Sequence, residues 1–190
     1  MRWFVFFVFA YVLLAMQVGL ASGVSIDTSW GPVQPLFVLP LAVFVGLSAA
    51  PATSLLAWAA LGVLLDVTTT WGNGATFIGP YTLGYIAGHY VVNQMRTMLV
   101  KRHPLALSFM TILAGAAVQL IVVAVFAARN FYDPIPGWVG SQHLILRAMG
   151  LLYTAGVAAV LAIPLNALAT VFGFRSDKGP APYGRRRSDW

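Results

Sequence analysis

The chain has 190 residues, 59% hydrophobic and 8% charged, with a mean hydropathy of +0.82. Globular chains carry roughly a quarter charged residues, so this one lacks the side chains to cover a hydrated exterior, and lipid is the expected solvent for most of it. The net charge of +6 does not point to nucleic acid, because Lys and Arg fall at the ends of apolar runs and in the C-terminal tail; with no Cys there is neither a disulfide framework nor a thiolate metal site.

A helix crossing a hydrocarbon core needs about 20 residues. Six apolar stretches approach that length and predict six spans, an all-α polytopic membrane protein. The first runs from Trp3 to Ala21. It follows Arg2 and ends in the small-x-small triplet Gly19-Leu20-Ala21, which is also the pattern of a cleaved leader, although the run is longer than the 7 to 15 residues or so of a leader's apolar core. The second, Pro35 to Ala50, contains Pro40. The third, Thr53 to Val67, ends in Asp66, and the fourth, Thr76 to Val92, is rich in Gly. The fifth runs from Leu105 to Ala128 and the sixth from Leu144 to Phe172, where Pro164 predicts a kink.

Six spans put nine basic residues on one side: Arg2, Arg96, Lys101, Arg102, Arg175, Lys178, Arg185, Arg186 and Arg187. The opposite loops hold Arg129, Asp27 and Asp133, so the positive-inside rule predicts both termini in the cytoplasm. Trp30, Trp71 and Trp138 fall in the three outer loops, where amphipathic rings prefer the headgroup region. Two segments are expected: a transmembrane domain over 1–175 and a disordered basic tail over 176–190, whose Arg185, Arg186 and Arg187 suit anionic lipid headgroups or serve only as an orientation signal.

Asp66 is the one carboxylate embedded in an apolar segment, and such groups are costly enough in a span to suggest function. Arg147 is expected about one turn inside the outer end of the sixth span, so an Asp66–Arg147 ion pair is one expectation; a hydrated helix terminus is the other, and contact with a ligand or partner a third. Gly84 and Gly88 form a G-x-x-x-G pair, with Gly79 and Pro80 just before it, which permits close helix approach within the chain or to a partner. Gln119, mid-span in the fifth stretch, and Asn166, two residues after Pro164 in the sixth, are amides suited to interhelical hydrogen bonds or a small polar cavity. Thr68, Thr69 and Thr70 read as a polar turn leaving the membrane. His89, His103 and His143 have no metal-ligand spacing, and no catalytic triad, carboxylate pair or phosphate loop stands out, so neither metal, cofactor nor enzymatic activity is expected.

Gly62-Val63-Leu64-Leu65-Asp66, followed by Gly74 and Gly79 and then by Leu83-Gly84-Tyr85-Ile86-Ala87-Gly88, resembles the MreD family of rod-shape determining membrane proteins. The resemblance implies a six-helix fold similar to that of the S components of energy-coupling factor transporters. It further implies a non-catalytic scaffold of cell-wall elongation in the bacterial cytoplasmic (inner) membrane, without a cofactor. The implied partner is MreC and, through it, a SEDS glycosyltransferase, a class B penicillin-binding protein and the MreB filament. On that reading Gly62, Asp66, Gly74, Gly79, Gly84, Tyr85 and Gly88 serve helix packing or partner contact. The competing expectation is an S component of a vitamin transporter. It would need an outer pocket, for which Asp66, Trp71, Asn73, Tyr81 and Arg147 are candidates, and a small-residue motif on the first span, where only Gly19 and Gly23 stand at its end.

Overall fold

The computed structural model describes residues 1–71, 75–76, 78–97, 103–132 and 139–174, and most of these are helical. Six helices of eleven residues or more account for the six apolar stretches: α1 (Trp3–Gly19), α3 (Val38–Ser48), α4 (Pro51–Thr68), α5 (Pro80–Met95), α6 (Pro104–Tyr132) and α7 (Gly140–Ala167). A four-residue helix, α2 (Ala21–Val24), follows α1. Three of these helices, α4, α6 and α7, are long and apolar enough to cross a membrane.

Two small antiparallel ribbons occupy connections. Strands β1 (Ile26–Thr28) and β2 (Gly31–Val33) pair Ile26 with Val33 and Thr28 with Gly31, and the Thr28 hydroxyl donates to the Gly31 carbonyl at 2.6 Å. Gly31 has φ +132°, open to a residue without a Cβ. Strands β3 (Thr70–Trp71) and β4 (Ala75–Thr76) lie between α4 and α5, so Thr70 leaves α4 in a ribbon, and Thr76, expected to start a span, stands in a strand.

The bundle is organised around α3. Ten consecutive residues of it, Val38 to Leu47, are buried, and α1, α4, α5, α6 and α7 all touch it. A helix apolar on every side belongs in the middle of a bundle. Pro40 stands in its first turn, where a missing N–H breaks no helical bond. At eleven residues α3 is about 16 Å long, roughly half of a hydrocarbon core. Its C-terminal end joins α4, a helix long enough to cross, so the backbone entering α3 is the part that lies at depth, tolerable only where the protein supplies partners. It does: Leu36 N–H donates to Thr154 Oγ1 at 2.9 Å, Val38 N–H to Gln17 Oε1 at 3.3 Å, and Arg96 donates to the Ala49 carbonyl at 3.3 Å.

Helices consecutive in the chain run antiparallel. As α5 ascends from Gly84 to Gly88, α6 descends from Val118 to Ala114 against it; Gly115 of α6 meets Leu151 of α7 as Gln119 meets Arg147. At one end of the bundle the Arg2 N–H donates to the Phe172 carbonyl at 2.9 Å, and Phe9 and Phe44 stand 5.1 Å and 5.8 Å from the Phe172 ring. At the other end the side chain of Gln142 donates to the Trp30 carbonyl at 3.0 Å, joining α7 to the β1–β2 ribbon. Phe6, Ala10 and Leu13 put α1 into the common core.

The last helix departs from expectation. It starts at Gly140, runs through Pro164 and ends at Ala167, and the chain then turns over 168–173. The proline therefore precedes the helix end by three residues, and Phe172, expected as the last residue of a span, is a buried plug in the turn.

Candidate functional site

Asp66 is 1% exposed, in the last turn of α4. Its carboxylate accepts four hydrogen bonds from the start of α5. Oδ1 takes the Tyr81 N–H at 2.8 Å; Oδ2 takes the Gly79 N–H at 2.8 Å, the Thr82 N–H at 3.0 Å and the Thr82 hydroxyl at 2.6 Å. The first N–H groups of any helix lack intrahelical partners, and the macrodipole favours an anion beside them. Asp66 thus caps α5 from the end of the preceding helix. Gly79 has φ +141° and ψ −49°, a conformation for a residue without a Cβ, and Pro80 is the first helical residue, where no N–H is needed.

The ion pair expected between Asp66 and Arg147 is absent, because the carboxylate is fully engaged by α5; nor is Asp66 a hydrated terminus. The two residues are linked indirectly. Arg147 donates through Nη1 to the Tyr81 hydroxyl at 3.3 Å and to Gln119 Oε1, and its Cζ lies 5.8 Å from the centre of the Tyr81 ring. Tyr81 therefore gives its backbone to Asp66 and its side chain to Arg147, and Gln119 makes the interhelical bond expected of a mid-span amide.

The glycines set the spacing. A Cβ on Gly62 would stand 2.6 Å from the Thr82 Cα, on Gly84 3.0 Å from the Val118 carbonyl, and on Gly88 2.8 Å from the Trp58 ring. Gly62 lets α4 and α5 meet backbone to backbone just below the Asp66 cap, and Gly84 and Gly88 do the same for α5 and α6. Tyr85 is buried, its ring 5.6 Å from that of Trp58. Gly62, Gly79, Gly84, Tyr85 and Gly88 are thus committed to contacts and geometry within the chain. Gly74, Asn73 and Arg185, Arg186 and Arg187, with the 176–190 tail, lie outside the described residues.

Three residues of this arrangement were not singled out from sequence. Thr82 completes the Asp66 cap; its signal was Gly79-Pro80-x-Thr82, a helix start whose own cap position is a glycine. Gln17 and Thr154 satisfy the backbone before α3, and a polar residue facing inward from an apolar span was the only clue to each.

The chain matches no protein-family model, no curated protein and no solved structure.

Proposed function

We propose that this chain is a non-catalytic, six-span scaffold of the bacterial cytoplasmic membrane, of the MreD type, that binds MreC and helps to set rod shape in cell-wall elongation. The observation that carries this reading is how Gly62, Asp66, Gly79, Gly84 and Gly88 are used: these residues of the resemblance hold α4, α5 and α6 together, which is the chemistry of binding and assembly. Six helices, each antiparallel to the next in the chain, with Arg2 and Phe172 at one end, support an even number of crossings, and the distribution of basic residues along the sequence, read on that count, supports a cytoplasmic location for both termini. Around the core, α1 turns Phe4, Phe7, Val8 and Tyr11 outward, an apolar stripe at helical spacing that suits lipid or a partner's span.

The S-component reading is favoured by one feature, a polar cavity beside Arg147. Affinity purification of the tagged full chain from its native bacterium separates the two. Recovery of MreC with cell-wall polymerases is expected; recovery of a transmembrane coupling subunit with two ATPases would replace the scaffold by a transporter component.

A further inference from the structure

An apolar crevice of about 420 Å³ runs along α7, lined by Tyr153, Gly156, Val157, Val160 and Leu161 and by Phe37, which precedes α3. The α7 residues recur every three or four positions and so share one face of the helix. Gly156 and Val160 are exposed, and a Cβ on Gly156 would meet nothing within 4 Å, so the crevice opens sideways from the bundle. The bond from Leu36 N–H to Thr154 Oγ1 sets its upper limit level with the entry to α3. Leu161 lies about 12 Å further along α7, toward the end where Phe172 meets Arg2. The crevice therefore covers about one half of a hydrocarbon core roughly 30 Å thick, the half nearer Arg2.

We infer that this crevice holds one acyl chain of an anionic phospholipid whose headgroup lies at the Arg2 end of the bundle. The only side-chain polar group in the described lining is the Tyr153 hydroxyl, so the occupant is hydrocarbon. Its size fits a chain better than a helix. A volume of 420 Å³ over about 12 Å leaves a mean cross-section of about 35 Å², less than half of the roughly 80 Å² of a helix about 10 Å across with its side chains. Close approach of a second span also uses small residues a turn apart, whereas Leu152 and Val160, one turn to either side of Gly156, stand out at 65% and 68% exposure. A flexible chain needs only the single gap that Gly156 leaves. The headgroup follows from charge. Arg2 is exposed at that end, and Arg96 reaches the Ala49 carbonyl there. The two carboxylates among the described residues, Asp27 in the β1–β2 ribbon and Asp66 at the end of α4, stand at the opposite end. A cationic membrane end draws anionic headgroups. The inference holds for a scaffold and for a solute-binding subunit alike.

The test uses the purified full chain, stripped of lipid in neutral detergent, and counts bound lipid by native mass spectrometry. Phosphatidylglycerol and phosphatidylcholine with the same acyl chains are titrated at constant salt. One phosphatidylglycerol should bind saturably, at least fivefold more tightly than phosphatidylcholine. Gly156→Leu fills the crevice from a position with room for a side chain and should weaken that binding at least tenfold; Val160→Phe should do the same and carries the test if Gly156→Leu does not fold. Leu83→Phe, on the exposed face of α5, should bind as the parent does. No saturable lipid, equal affinity for the two headgroups, an equal loss in Leu83→Phe, or parental affinity in either folded filling variant would overturn the inference. Unchanged lipid binding by Gly156→Leu together with loss of self-association or of a co-purified protein would assign the crevice to a second span instead.

Discussion

Replacing Asp66 tests the central joint of the bundle. Asp66→Ala removes the acceptor of three backbone N–H groups and one hydroxyl at the start of α5. An unmet buried donor costs about 1 to 3 kcal/mol, and water entering at the helix end recovers part of that, so the loss should be about 3 to 5 kcal/mol. Asp66→Asn is milder. Its amide oxygen can replace Oδ2 and keep the Gly79 and Thr82 bonds, leaving one mismatch at the Tyr81 N–H and a lost charge beside the helix dipole, together about 1 to 3 kcal/mol. Thermal unfolding of the full chain in neutral detergent reads both. At about 2 to 4 °C per kcal/mol for a chain of this size, the alanine variant should melt near 10 °C below the parent, with asparagine between. Thr82→Val should be strongly non-additive with Asp66→Ala, because both remove the same 2.6 Å bond. An alanine variant within 2 °C of the parent, or asparagine as damaging as alanine, would refute the capping argument.

Glycine substitutions should separate by position. Gly62→Ala forces α4 away from the Thr82 backbone and should cost about 1 to 3 kcal/mol, whereas Gly156→Ala meets nothing within 4 Å and should stay within about 0.5 kcal/mol of the parent in the same melting assay. Gly79→Ala has equal room for a Cβ but must hold φ +141°, so it should lose about 1 to 3 kcal/mol through the backbone alone; a neutral result would show that the turn before α5 relaxes.

The helices were legible in the sequence because lipid as solvent makes nearly every span residue apolar, and the ends of α4, α5 and α6 fell within a few residues of the apolar boundaries. The packing role of Gly84 and Gly88 was legible too, since small residues four apart allow close approach whichever helix supplies the neighbour. The partner of Asp66 was not. Depth alone made Arg147 the natural counter-ion, but the winner was a helix terminus formed only once Gly79 turns the chain back, and a terminus carries no charge symbol in a sequence. The central place of α3 was not legible either: the stretch from Pro35 to Ala50 reads as one more span, and only the five surrounding helices show it enclosed.

That short length has a consequence for biosynthesis. Enclosed by protein, α3 never has to match the thickness of a bilayer, but at the moment it leaves the ribosome α6 and α7 do not yet exist to enclose it. Eleven helical residues are a poor anchor, while the tight link through Ala49 and Ala50 joins them directly to α4, which is long enough to cross. The pair should therefore enter the membrane as one hairpin. In a chain lacking α1, translation intermediates truncated after Ala49 should be extractable by alkali, and those extended past Thr68 should resist it; resistance of the shorter intermediate would mean that α3 inserts on its own and is shortened later, when the remaining helices close around it.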